Sequence, residues 1–236
     1  MSVHCWKLSP SDFTFLWEEC KRCFFLKVVA GYHRPPGIMP GIFSTIDSRM
    51  KQFYVGRRTE EVSRDLPPGI VRYADQWVES QPITFRNRNS SCFIRGKLDA
   101  VVGFDDCTYG VVDFKTTDPR AEHVPLYSRQ LHAYAFCLEN ASRTGFSLGP
   151  ITKLGLLVFE PSAYEQERCG SALLSGEVTW VEIARDEDSF LDFIEEVLSV
   201  LELPLPPMAN PGCKWCEYHR LLSNAGNFSN DDASVI

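Results

Sequence analysis

The sequence predicts a mixed α/β domain in which helices flank a central sheet, with a four-cysteine site joining the N- and C-terminal segments. Three observations carry this expectation. The periodicity of apolar residues runs helix, three strands, helix, strand, strand, helix. The composition is that of an ordinary globular chain, 44% hydrophobic and 23% charged over 236 residues. Two Cys-x-x-Cys pairs, Cys20/Cys23 and Cys213/Cys216, stand near opposite ends. A chain of this length buries one substantial core, so residues 1–223 read as a single domain and the polar residues 224–236 as a disordered tail.

Each element follows from local chemistry. In LSPSDF, Ser9 is placed to cap a helix, Pro10 occupies the first turn where a missing N–H costs nothing, and Asp12 lies near the positive helix end. This helix is expected to carry Cys20 and Cys23 near its end. After the Pro/Gly-rich stretch 35–41, Phe43, Ile46, Met50 and Phe53 recur at helical spacing through about Tyr54. SRDLPPG at 63–69 breaks the chain. Extended segments follow at Ile83–Arg88, Cys92–Phe104 and Tyr109–Lys115, the last two joined by DDCTYG, which has the composition of a tight turn. Leu126, Leu131, Tyr134, Ala135 and Leu138 restore the helical period over 125–139. ITKLGLLVFE at 151–160 reads as a buried strand, EVTWVEIA at 177–184 as a half-buried one, and Asp188–Leu201 as an amphipathic helix. A Pro-rich segment then leads to the second cysteine pair.

The net charge of −7 argues against coating nucleic acid by bulk electrostatics. Lys21, Arg22, Lys27, Arg57, Arg58, Arg86 and Arg88 are the local basic groups available to line a phosphate path, or else an ordinary solvated surface. The opening residues lack a basic segment followed by an apolar run, and no apolar stretch approaches the roughly 18 residues of a membrane span, so a cytoplasmic location and no membrane partner are expected. In that reducing compartment nine cysteines are not expected to form a disulfide framework, and the close pairs read as metal ligands or redox pairs. Cys5, Cys92, Cys107, Cys137 and Cys169 are expected to pack as small apolar residues.

The chemistry-bearing residues concentrate in GKLDAVV and GVVDFKTT. Side chains alternate along a strand, so Asp113 and Lys115 point one way while Val112 and Phe114 point the other, and Asp99 comes from the neighbouring strand. Paired carboxylates are hard oxygen ligands suited to Mg²⁺ or Mn²⁺, and a lysine beside them can orient an attacking water and neutralise charge developing on a phosphate. Gln130 and Tyr134, four apart, share one helix face. Asp47 falls among Phe43, Met50 and Tyr54 on its helix, whereas Glu60 lies in a charged run. Four thiolates suit either a [4Fe–4S] cluster or a structural Zn²⁺ with a closed coordination shell. His219, three residues after Cys216, is a substitute ligand or a free surface histidine.

Taken together, Gly96-Lys97-Leu98-Asp99, Asp113-Phe114-Lys115-Thr116, Gln130 with Tyr134, and the terminal cysteines resemble the PD-(D/E)XK nuclease superfamily. Within it the chain is most similar to the RecB-like branch, including CRISPR-associated and helicase-linked iron–sulfur nucleases, over Cys20 to Cys216. The resemblance implies a restriction-endonuclease-like αβββαβ core and catalytic roles for Asp99, Asp113, Lys115, Gln130 and Tyr134. It implies metal ligation by Asp99, Asp113, the Phe114 carbonyl and an acid from the preceding helix, for which Asp47 is preferred to Glu60. At Cys20, Cys23, Cys213 and Cys216 it implies [4Fe–4S], with Zn²⁺ as the alternative. The implied activity is Mg²⁺- or Mn²⁺-dependent hydrolysis of DNA, as an exonuclease on single strands or ends, in repair, recombination or CRISPR-type processing with a helicase or integrase partner. The chain departs from the family in having no histidine on the helix before the hairpin and in splitting its cysteines two and two. Those departures motivate two alternatives: a catalytically inactive nuclease fold that binds DNA or a partner protein, and a zinc-clasped interaction module.

Overall fold

The computed structural model describes residues 4–35, 37, 40–116 and 124–225. All but the first two residues of the expected tail lie outside the described residues. In order, the elements are β1 (His4–Leu8), a 3₁₀ turn (Pro10–Phe13), α1 (Phe15–Glu19), α2 (Lys21–Ala30), α3 (Gly41–Tyr54) and a 3₁₀ turn (Thr59–Glu61). Then come β2 (Gly69–Glu79), β3 (Ile83–Thr84), β4 (Ser90–Phe104), β5 (Tyr109–Lys115) and α4 (Val124–Glu139). The chain continues through β6 (Ile151–Arg168), β7 (Ser171–Ile183), α5 (Glu187–Leu201) and α6 (Lys214–Ala225).

Among the described residues, seven strands form one mixed sheet whose spine is β4. Parallel β1 and antiparallel β3 flank its first half, while antiparallel β2 and β5 flank its second. β6 joins β5 in parallel, and β7 returns antiparallel to β6. Strand alternation sorts the apolar residues into two layers. Val101, Val111, Leu154 and Leu156 face Phe13, Trp17, Phe24, Leu131, Ile194 and Leu198 of the helices on one side. Ala100, Val102, Val112, Phe114 and Leu157 face Met50 and Tyr54 of α3 on the other. The sheet is therefore covered on both sides over its centre, as a near-continuous apolar strand such as β5 requires.

Several expected elements are corrected. The first helix is interrupted at Cys20, whose extended backbone (φ −167°, ψ 104°) separates α1 from α2, so the first cysteine pair opens a helix instead of closing one. β1 and β2 were not anticipated, and the strand expected at Ile83–Arg88 shrinks to the two residues of β3, because β2 takes the long antiparallel place beside β4. β6 and β7 extend past their expected limits by pairing with each other. The second cysteine pair leads into a helix, α6, that the sequence reading left unassigned. Cys92 and Cys137 are buried as expected, but Cys5, Cys107 and Cys169 are exposed, on an outer strand face and at two turns where no core reaches them.

Candidate functional site

The acidic site forms where β4 and β5 part. Their last paired residues are Ala100 and Val112, so Asp99 and Asp113 are the next opposing positions. There the Asp99 side chain replaces the ladder: its Oδ2 accepts the Phe114 N–H at 2.9 Å. β5 is kept straight beyond this point by β6, through Asp113 opposite Leu156 and Lys115 opposite Val158. The strand thus holds Asp113 and Lys115 rigidly while β4 diverges.

Asp113 is 3% exposed and completely encircled by the site. The Lys115 ammonium pairs with its Oδ2, and Gln130 Nε2 donates to its Oδ1 at 3.3 Å. Desolvation pushes the Asp113 carboxyl up to about 7; Lys115 pulls against that shift, and the Asp99 carboxylate adds to it. For Lys115 the balance goes the other way: burial disfavours its charge, but Asp113 outweighs burial and raises the pKa. The ammonium also sits 4.8 Å from the centre of the Tyr127 ring, a cation–π contact that fixes it from the α4 side.

α4 supplies the polar floor. Tyr127, Gln130 and Tyr134 recur at helical spacing and are all buried against the hairpin. Gln130 also donates to the Tyr134 hydroxyl at 3.4 Å, which in turn donates to the Lys97 carbonyl at 2.9 Å. That carbonyl lies between Ile94, where β1 stops, and Ala100, where β5 stops, so the tyrosine satisfies a backbone group that those strands leave open. Gly96 is what lets it approach: a Cβ there would meet Pro10 Cδ at 2.8 Å and Tyr134 Cε1 at 3.2 Å.

From the opposite layer α3 inserts a lysine. Lys51 Nζ lies 2.8 Å from Asp99 Oδ1, 2.9 Å from Asp47 Oδ2 and 3.3 Å from Asp75 Oδ1. Burial works to lower its pKa, and the Asp99 and Asp47 carboxylates raise it well above the usual lysine value. Asp47 is itself raised by burial and by Asp99, although Lys51 opposes this. Asp75 is passed over in the ladder between Ala74–Ala100 and Gln76–Leu98, directly across from Asp99. It adopts a left-handed backbone (φ 57°), a conformation aspartate tolerates better than most residues, and also binds Lys97 at 3.0 Å.

The expected residues Asp99, Asp113, Lys115, Gln130 and Tyr134 therefore converge, and Asp47 joins them through Lys51. Glu60 does not: it pairs with Arg58 at 3.3 Å on the exposed turn. Sequence reasoning missed Lys51, Tyr127 and Asp75. Lys51 stands one helical turn after Asp47 and Tyr127 one turn before Gln130, signals that a stricter reading of helix faces would have found. Asp75 had no such signal, because only the pairing of β2 with β4 sets it opposite Asp99. Of the basic residues expected along a phosphate path, Lys21, Lys27, Arg57, Arg58 and Arg88 are spent on Glu196, Asp12, Glu61, Asp105 and Glu195.

The four cysteines meet as well. Cys20, Cys23, Cys213 and Cys216 place their Sγ atoms within 4.8 Å of one another, with separations of 3.5 Å (Cys23–Cys216), 3.6 Å (Cys23–Cys213) and 3.7 Å (Cys20–Cys216). His219 is not part of this group. Burial alone would raise the Cys20 thiol, but backbone hydrogen bonds at Asn210 and Cys23 and the neighbouring sulfurs bring it down to about 7. Arg34 Nη2 donates to Cys213 Sγ at 3.4 Å, placing positive charge beside the sulfurs. Thiols gathered in this way, one of them easily ionised and with a guanidinium against them, form a group that could hold a metal ion.

A family model described as the PD-(D/E)XK nuclease superfamily matches residues 45–221. No curated protein sequence matches the chain. Among solved structures, the crystal structure of SSO0001 is similar at a TM-score of 0.45 and 15% identity, covering 91% of this chain and 84% of that one.

Proposed function

The chain belongs to the PD-(D/E)XK nuclease superfamily, and from that premise we propose that it is a metal-dependent deoxyribonuclease, acting as an exonuclease on single strands or ends. The observation that carries this reading is the convergence of Asp99, Asp113, Lys115 and Gln130 at the parting of β4 and β5.

The donor set fits a hard divalent cation, because the carboxylates of Asp99 and Asp113 come from opposing positions of β4 and β5 close enough to act on one another, and a positive charge, Lys51, is already seated against Asp99. Asp99 and Asp113 would hold Mg²⁺ or Mn²⁺, with the Phe114 carbonyl and Asp47 completing the protein's share. When bound, such an ion supplies Lewis-acid polarisation of a phosphate oxygen. The remaining work belongs to the chain. Lys115 presents its ammonium toward the phosphoryl group, where negative charge grows as water adds to phosphorus and the P–O bond to the leaving oxygen breaks. Gln130 and Tyr127 keep Asp113 and Lys115 in place, and Tyr134 locks the strand from which Asp99 projects.

At the cysteines the reading is one tetrahedral Zn²⁺. With metal–sulfur bonds of about 2.3 Å, a tetrahedral ion sets its sulfurs about 3.8 Å apart, close to the 3.5–3.7 Å contacts here. In a four-iron cluster each thiolate holds a separate iron, which spreads the sulfurs more widely. Metal analysis of anaerobically purified protein is expected to find one zinc per chain and no iron.

A second reading, a nuclease fold that binds DNA without cleaving it, is favoured by the Lys51 ammonium, which occupies the side of Asp99 that a cation needs. Incubating the protein with single- and double-stranded DNA and Mn²⁺ or Mg²⁺, beside a Lys115→Ala variant, separates the two. The wild type is expected to cleave, and the variant to lose about 10²–10³-fold in rate. Absence of cleavage by the wild type, or equal cleavage by both, sinks the catalytic assignment.

A further inference from the structure

A cleft of about 750 Å³ opens beside the thiolates, between α2, the segment 31–35 and α6. Among the described residues its wall carries Arg22, Arg34 and Arg220 with His33 and His219, and no carboxylate. On a chain of net charge −7 this is a local reversal of sign.

Two of these groups are already employed. Arg22 donates to the Pro207 carbonyl at 3.2 Å, and the terminal nitrogens of Arg34 reach Glu19 and Cys213. Arg34 Nε is nevertheless buried without a hydrogen-bond partner among the described residues. Arg220 and His33 have neither an ion pair nor a side-chain hydrogen bond among those residues. Trp215 lines the same cleft, and so does Tyr32, which is 72% exposed. A guanidinium without a counter-ion is suited to phosphate, an imidazole N–H can donate to a phosphate oxygen, and flat rings suit the face of a base. The volume suits a nucleotide-sized ligand. A phosphorylated peptide would use the cations and leave the rings idle.

We propose that this cleft is a second nucleic-acid site, holding one or two nucleotides of a single strand by phosphate contact to Arg220 and His33 and by stacking on Trp215 and Tyr32. The choice of ligand rests on the nuclease reading above; the cationic cleft itself does not. Because the walls on α2 and α6 meet through Cys23, Cys213 and Cys216, the cleft is complete only while the thiolate site is closed. The clasp therefore builds a binding surface as well as fastening the chain.

The test is fluorescence anisotropy of a 5′-fluorescein-labelled dT12 strand with the full chain, without added Mg²⁺ or Mn²⁺, comparing wild type with Arg220→Glu, His33→Glu and Trp215→Ala. Each variant is expected to weaken binding by about tenfold. Arg220→Glu, which reverses a charge, should also flatten the salt dependence. Trp215 packs against the cysteines, so its loss of binding counts only alongside the exposed Arg220 and His33 variants, whose zinc content and melting midpoint are measured in parallel. Unchanged dT12 affinity in both Arg220→Glu and His33→Glu overturns the proposal, as does an equal loss of a 12-base-pair duplex. If the wild type cleaves no DNA while Arg220→Glu still loosens dT12, the nuclease reading falls and this one stands.

Discussion

At Asp99 both carboxylate oxygens are engaged, Oδ1 by Lys51 at 2.8 Å and Oδ2 by the Phe114 N–H at 2.9 Å. A divalent ion entering there competes with an ammonium already in place. Lys51→Met keeps most of the volume and removes the charge, leaving Asp47, Asp75 and Asp99 to repel one another. Without metal the variant should melt lower than wild type, and its midpoint should rise more on adding Mn²⁺. An equal rise in both proteins would show that Lys51 and the ion do not compete. A second buried group makes the fold sensitive to acid. His132, 5% exposed, receives the Asp186 N–H on Nε2 at 2.7 Å, and its Nδ1 lies 2.8 Å from the Ser128 carbonyl, an arrangement that suits the neutral ring. Burial, the largest cause, lowers its pKa. Its contribution is thus fully present above the unfolded value of about 6.5 and is lost as pH falls toward the folded value. His132→Gln retains an acceptor for Asp186, so melting curves between pH 7.5 and 5.5 should show a smaller drop for the variant than for wild type.

Among the elements, the β6–β7 hairpin separates into two parts. Beyond Val158, the last partner of β5, the two strands pair only with each other as far as Arg168 and Ser171. Tyr164, Leu173 and Leu174 on this ribbon are 73%, 48% and 44% exposed, so it adds little to the core. Replacing residues 162–175 by an Asn-Gly turn should move the melting midpoint by less than about 4 °C, the scale of roughly 1 kcal/mol for a chain of this size. A larger drop would show that the ribbon supports the nuclease core. The same contrast between periodic core and irregular edge decides what was legible in the sequence. α3, α4, α5 and the β4–β5 hairpin were readable because apolar periodicity and the turn composition agreed. β2 was not: Arg72, Asp75 and Gln76 interrupt its alternation, and its register shifts between Val71 and Tyr73. The break at Cys20 was equally hidden, since helical spacing continues across it and neither proline nor glycine marks the change of backbone. At the site, residues embedded in motifs were visible, Lys51 and Tyr127 carried only the weaker signal of a shared helix face with Asp47 and Gln130, and Asp75 matters only through contacts between elements distant in sequence.

For the molecule as a whole, the four-cysteine site is the longest-range tie among the described residues. Cys23 and Cys213 are 190 positions apart, and their contact fastens α2 to the segment that begins α6. By loop-closure reasoning a permanent link over that span stabilises by up to about 5 kcal/mol. Treatment with a chelator, or substituting Cys23→Ser, should therefore lower the melting midpoint by several degrees and expose both end segments to proteolysis. If a chelator leaves wild type unchanged and Cys23→Ser melts with it, the four sulfurs carry no structural metal.

The same separation has a consequence in time. At about 5–20 residues per second, a ribosome needs about 10–40 s to make the 190 residues between Cys23 and Cys213. Throughout that interval the first pair of thiols is complete in sequence but lacks its partners, open to oxidation or to capture of a stray ion. A newly made chain closes the clasp only once Cys216 has been added, and products that stop short of it lack the clasp.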